Sequence, residues 1–316
     1  MFVINFRGNM LIRFLIGIFL IVFVQTFAGF ENHIRKMIHK SDAHEMRNID
    51  FIYMINLDER PEKLAKSLEQ LKPYGIQPYR FSAINGWNLS LETINDVGIK
   101  FETWMQEGIW GTSFVLRDGQ LVPEYEIMHV PGKTYFVHFM RPSIIGIALS
   151  HLSVLQDAYD SGYQTIWVME DDIDVVRDPR IIPDLIDKLD AFVGEDGWDI
   201  LFTDVDIKNR EGKYVICTEY APRPNFTPSD LTKFARKEQI SADFIKVGAR
   251  YGGHSMIVRR SGMKKILNFI RQYSIFHAID VDYVLPEGIR LYSLTYDVVS
   301  QLTDALSDNF EPNYKK

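Results

Sequence analysis

The sequence predicts an α/β protein: a mostly parallel sheet with helices on both faces. Three observations predict it. Short apolar runs recur between amphipathic stretches and read as buried strands. The first two such runs flank a single helix, and this β-loop-α-β order makes a parallel pair with a crossover. Acidic clusters then stand at the ends of several runs, where open α/β sheets present their ligand sites.

Composition sets the bounds. The 316 residues suffice for one large α/β domain or two smaller ones. Hydrophobic residues make up 46% and charged residues 24%, both ordinary for a globular protein. The net charge of −7, without a basic stripe, argues against nucleic-acid binding. A single cysteine, Cys217, excludes an intramolecular disulfide and a cysteine-based zinc site, and leaves the compartment open.

Phe14–Phe30 is almost wholly apolar, with Arg7 and Arg13 before it and Glu31, Arg35 and Lys36 after it. It is shorter than the roughly 20 residues of a spanning helix and suits the core of a signal peptide. Thr26-Phe27-Ala28 offers a small-x-small cleavage site, and Met10 an alternative start. Residues 1–30 are therefore expected to be a signal peptide or an uncleaved signal-anchor, with a buried helix as the remaining alternative. Either of the first two carries the rest of the chain across a membrane, into a secretory lumen or periplasm. Retention on the cytoplasmic face of a membrane is the alternative. Residues 31–49 read as a linker or stem, 50–306 as the domain and 307–316 as a polar, frayed tail.

Within the domain, Asp50–Leu57 is the opening strand. Pro61 suits the first turn of a helix, and Leu64, Leu68 and Leu71 line one face of it. By spacing alone, Asn56–Arg60 is a helix cap with a surface arginine, although such a loop can dock an anion. Pro78–Phe81 is a short strand, followed by the turn Ala83-Ile84-Asn85-Gly86. Residues 89–142 read as an irregular, aromatic-rich insertion, with a hairpin at Asp118-Gly119 and a possible acceptor surface. Ser143–Tyr159 is a helix capped by Ser143, with His151 expected as a satisfied core histidine.

Ile166–Met169 is a buried strand that runs into Glu170, Asp171, Asp172 and Asp174. Four carboxylates at one strand end repel one another unless a cation neutralises them. A hard divalent ion held by carboxylates and substrate phosphates fits that chemistry, and a solvated acidic turn is the plain alternative. Gly197–Phe202 is another buried strand, ending in Thr203-Asp204-Val205-Asp206. Arg250–Arg259 is a strand with a glycine pair, Ser261 caps the helix after it, and Asp280 and Asp282 form a third acidic pair.

Four blocks, in order, resemble glycosyltransferase family 25, the lipopolysaccharide β-galactosyltransferases and collagen galactosyltransferase-like proteins. They are Ile52–Arg60 (IYMINLDER), Phe81–Gly86 (FSAING), Gly146–His151 (GIALSH) with Trp167–Asp172 (WVMEDD), and Tyr251–Gly262 (YGGHSMIVRRSG) with Ile279–Tyr283. The resemblance implies a GT-A-like, Rossmann-type single catalytic domain. It implies a UDP-sugar donor (galactose or glucose favoured), a divalent metal (manganese favoured, magnesium possible), and inversion during transfer to a hydroxyl of a glycan, lipopolysaccharide or protein. Carried onto this chain, Asn56 and Arg60 stand where the first loop meets the nucleotide, and Ala83 and Asn85 on the uridine-ribose side. Ser150 and His151 support the donor pocket. Glu170, Asp171 and Asp172 stand at the metal motif, with Asp172 favoured as direct ligand and His254 as a further one. Asp282, then Asp280, is the favoured base, with Asp204 and Asp206 as further candidates. Two other readings compete. Asp172-Ile173-Asp174 also resembles the nucleophile motif of haloacid-dehalogenase-like phosphatases, although that motif normally opens its domain. A non-catalytic glycan- or partner-binding member would keep UDP binding and lose transfer.

Overall fold

The computed structural model describes residues 29–315. The apolar segment read as a signal or anchor lies, up to residue 28, outside the described residues. Among the described residues, no helix is long and apolar enough to cross a membrane.

The domain opens with β1 (Phe51–Asn56), α1 (Pro61–Leu71) and β2 (Tyr79–Ser82), and β1 and β2 pair in parallel as their order predicts. Residues 89–142 then form α2 (Leu91–Val97), β3 (Ile99–Lys100), β4 (Trp110–Arg117), β5 (Gln120–Ile127) and β6 (Thr134–Val137). Next come α3 (Pro142–Asp160), β7 (Thr165–Glu170), β8 (Ile173–Val175), α4 (Ile182–Val193) and β9 (Ile200–Phe202). The chain continues through β10 (Lys237–Gln239), β11 (Phe244–Val247), β12 (Ser255–Arg259) and α5 (Arg260–Tyr273). It closes with α6 (Ile279–Asp282), β13 (Leu291–Leu294) and β14 (Val299–Gln301).

Eight strands make the central sheet, in the order β10-β11-β13-β9-β12-β7-β1-β2. β2, β1, β7, β9, β13 and β10 share one direction, and only β12 and β11 run against it. The alternation of side chains along each strand divides the core into two layers. Phe51, Tyr53 and Ile55 of β1, with Ile166 and Val168 of β7, pack against α3 and α5. Ile52, Met54, Trp167 and Met169 point the other way, against Leu71 of α1 and Leu185, Ile186 and Leu189 of α4. Burial on both faces is why these strands read as unbroken apolar runs. Each fully buried aliphatic side chain contributes about 1.5–3 kcal/mol.

Three local expectations are corrected. The 89–142 insertion is ordered: β3, β6, β4 and β5 form a second, antiparallel sheet. Its hairpin does turn at Asp118-Gly119, both left-handed (φ 51° and 76°), a pairing that matches the twist of two-residue hairpins. Ser143 and Ser261 do not cap their helices. Ser143 donates to the Asn309 carbonyl and Ser261 to Asp199, because each helix starts one residue earlier, at Pro142 and Arg260. Residues 307–315 are not frayed; polar contacts fasten them to Arg60, Trp87 and Ser143.

Candidate active site

β1 leads to β2 on one side, while the next strand added on its other side is β7. The carboxyl ends of β1 and β7 thus form the crevice where open α/β sheets bind ligands. Two joined cavities fill it. The first, of about 130 Å³, is lined by Ala83, Asn85, Ser150, His151 and Glu170–Asp172. The second, of about 240 Å³, is lined by Gly252, Gly253, His254 and Asp280. Ile147, Glu170, Gln301 and Asn309 border both, so the cleft runs continuously past the acidic triplet.

The wall beside Asn85 depends on a close backbone approach. A Cβ on Gly86 would lie 1.9 Å from the Pro142 carbonyl oxygen, and one on Gly146 would lie 2.5 Å from that of Ile84. The two glycines let the turn after β2 press onto α3. Ser150 completes the joint: its Oγ accepts from the Ile84 backbone N–H at 2.8 Å and donates to the Gly146 carbonyl at 2.7 Å.

The three acids of the triplet have different partners. Glu170 Oε1 lies 2.9 Å from His151 Nε2, and the Tyr283 hydroxyl lies 2.6 Å from His151 Nδ1. His151 is fully buried and bonded at both nitrogens, as a satisfied histidine should be, yet it belongs to the cleft. Burial pushes the Glu170 carboxyl up, but the hydrogen bond from His151, with other nearby charges, outweighs it and the net shift is downward. Asp171 Oδ2 accepts from Asn56 Nδ2 at 2.6 Å, yet burial still pushes its pKa up to about 6. Burial, and then the neighbouring Glu170, raise Asp172 as well. Gln301 donates to Asp172 Oδ2 at 3.2 Å, while Asp172 Oδ1 is buried without any hydrogen bond.

An orphaned carboxylate oxygen among acids with raised pKa values suits a divalent cation. Among the described residues, no three His, Cys, Asp or Glu side chains converge to hold a metal by themselves. The positive feature is the orphaned Asp172 Oδ1 beside Asp171, a donor pair that fits a hard cation taking only one or two carboxylates from the protein.

The other predicted residues scatter. Asn56 is buried and bonded to the Arg60 carbonyl, Asp171 and Arg80, which makes it a brace for the loop after β1. Arg60 is not at the surface: it is 7% exposed and paired with Asp308 at 2.9 Å. His254 Nε2 bonds Asp204 at 2.8 Å, and its buried Nδ1 has no partner. Asp204 is further held by Arg250 and Ser300; burial opposes its ionisation, but Arg250 and His254 outweigh it and lower its pKa. Asp206 pairs with Lys237 at 2.7 Å.

The two candidate bases also part company. Asp282 is fully buried against Arg223 (2.6 Å) and His277 (3.1 Å); burial opposes ionisation there, but Arg223 and His277 prevail and its pKa falls. Asp280 borders the second cavity, accepts the Gly252 backbone N–H at 2.8 Å, and is raised by burial. Sequence reasoning missed Gln301, Asp308 and the link through Tyr283. Only Tyr283 left a trace, as the last residue of a recognised block.

A sequence profile described as "Glycosyltransferase family 25 (LPS biosynthesis protein)" matches residues 49–285. A curated relative from Anopheles gambiae, named "Glycosyltransferase 25 family member", is 23% identical over 251 residues, covering 76% of this chain and 31% of the relative. One of the same name from Aedes aegypti is 26% identical over 154 residues, covering 49% of this chain and 21% of the relative. The chain thus spans about a fifth to a third of the length of these relatives. A solved structure titled "Crystal Structure of A197 from STIV" shares 15% identity over 53% of this chain and 73% of that one, at a TM-score of 0.30.

Proposed function

This chain belongs to glycosyltransferase family 25, and on that premise we propose that its cleft moves a hexose, galactose or glucose, from a UDP-sugar to an acceptor hydroxyl. The acceptor is a glycan, a lipopolysaccharide or a protein, and the transfer inverts the anomeric centre. One observation carries the reading. A continuous cleft joins a cation-seeking acidic triplet at the carboxyl end of β7 to a second carboxylate, Asp280, that no basic side chain among the described residues neutralises by an ion pair.

Each side chain has a task in this scheme. Asp172, through its orphaned Oδ1, and Asp171 would hold a divalent ion, manganese favoured and magnesium the alternative. When bound, that ion neutralises the diphosphate leaving group. Glu170, its pKa lowered by His151, borders both cavities and would stand between the donor and the acceptor hydroxyl. Asp280 accepts the proton of the acceptor hydroxyl; burial raises its pKa, which makes it a stronger base than an ion-paired carboxylate. Asp282 anchors Arg223 and holds the α6 region in place. On the Asn85 side, a groove of about 700 Å³ lies between the β4–β5 hairpin and the turn after β2. Trp87, Phe114 and Tyr125 supply aromatic surface there for an acceptor sugar.

The test is calorimetric titration of UDP with and without manganese, on wild type and Asp172→Ala. Manganese-dependent binding that the substitution removes is the expected result. Binding indifferent to both would refute the cation assignment.

A further inference from the structure

A carboxylate brought in from late in the chain occupies the cleft's cationic corner. Arg60 stands just before α1, where the free backbone N–H groups of a helix start favour an anion. Its guanidinium Nη1 donates to Asp308 Oδ1 at 2.9 Å. Lys63, which lines the first cavity, has Nζ 3.9 Å from Asp308 Oδ2. Arg60 Nε lies 2.6 Å from Glu62 Oε1, yet it is buried and makes no aligned hydrogen bond. Arg60 and Lys63 thus form a mostly buried cationic corner with two anions: Glu62, at the start of the same helix, and Asp308, 248 positions from Arg60.

Residues 302–315 hold that anion in place through the rim of the cleft itself. Trp87 Nε1 donates to the Asp308 carbonyl at 2.9 Å, Ser143 Oγ to the Asn309 carbonyl at 2.7 Å, and Asn85 Nδ2 to the Tyr314 hydroxyl at 2.8 Å. The Arg141 guanidinium stacks 4.7 Å from the Phe310 ring centre. The segment buries little apolar surface, since Phe310 is 70% and Leu306 67% exposed. Attachment by polar contacts without an apolar anchor is the mark of an element that opens at low cost. Position supplies the second argument. Ser307, Asp308 and Asn309 line the first cavity together with Lys63, Asn85 and the acidic triplet, so the segment stands in the space that a nucleotide donor would enter.

We propose that residues 302–315 are an autoinhibitory strap and that the Asp308 carboxylate competes with the donor's diphosphate for Arg60 and Lys63. The proposal rests on the nucleotide-donor reading above. Donor binding displaces one carboxylate from the pair of cations and replaces it with phosphoryl oxygens, so charge pairing is kept while the strap opens.

The experiment titrates UDP, uridine and inorganic pyrophosphate into the full chain, with Asp308→Asn and Phe310→Ala compared with wild type. Asp308→Asn removes the competing charge at nearly constant size. Phe310→Ala loosens the strap at an exposed ring outside the cationic corner, so it leaves the fold intact. Both variants are expected to bind UDP and pyrophosphate about fivefold or more tightly than wild type. Asp308→Asn should also raise the affinity for these anions more than that for uridine. Equal or weaker anion binding in both variants overturns the strap and makes Asp308 a structural partner of Arg60. Tighter pyrophosphate binding with no UDP binding to any form upholds the competition and overturns the nucleotide reading. No anion binding to any form overturns both.

Discussion

At the scale of single residues, the site is decided by which acids are neutralised and which are not. Asp282 and Asp280 are two positions apart, yet one is locked to Arg223 and His277 while the other accepts a backbone N–H at the cavity wall. Asp280→Asn should therefore retain UDP binding and lower the transfer rate by about 10²–10⁴-fold, measured as steady-state turnover. Asp282→Ala should instead leave Arg223 buried and unpaired, at a cost of about 3–5 kcal/mol in urea unfolding. The reverse pattern would return the base to Asp282. Asp171 gives a pH test. Its folded pKa, pushed up to about 6, lies above the ordinary carboxylate value, so the native state binds the extra proton. Its contribution to stability is most favourable at low pH and is lost as pH rises from about 4 to about 6. Relative to wild type without added metal, Asp171→Asn should thus gain more melting temperature at pH 7 than at pH 4.5. A gap independent of pH would contradict the raised value.

At the scale of elements, the joint between α3 and the turn after β2 sets the shape of the donor side. Gly146→Ala would place a methyl group 2.5 Å from the Ile84 carbonyl oxygen, backbone against backbone. The expected loss is about 1–3 kcal/mol in denaturant unfolding, with weakened UDP binding as the turn is pushed out. Unchanged stability would show that the joint is looser than described. This joint also shows what the sequence could reveal. The glycines of FSAING and GIALSH stood out as punctuation, but their mutual contact is tertiary and has no local signature. The same holds for Ser143 and Ser261, which have cap-forming side chains spent on distant partners. The 89–142 region misread as irregular for a related reason. Its strands are short or half-exposed, so neither a period of two nor an apolar run dominates except at the Asp118-Gly119 turn.

At the scale of the whole molecule, the α/β class and the two-faced sheet were legible because the central strands are buried on both sides and their apolar runs are unbroken. The acidic triplet was legible because β7 leads directly into it. The sorting of acids into paired and unpaired was hidden, since Arg223, Arg250 and Lys237 lie 31 to 59 positions from the carboxylates they neutralise. The role of residues 302–315 was hidden for the same reason: a polar segment looks frayed until the cationic corner it covers is known. As proposed above, the cleft is a metal-assisted site for a UDP-sugar. UDP release from a panel of UDP-sugars, with and without manganese, tests this without need of an acceptor. Slow release is expected from one donor, UDP-galactose or UDP-glucose, only with the metal present, and none from Asp172→Ala. Metal-independent release, or no release together with no manganese-dependent UDP binding, would contradict it.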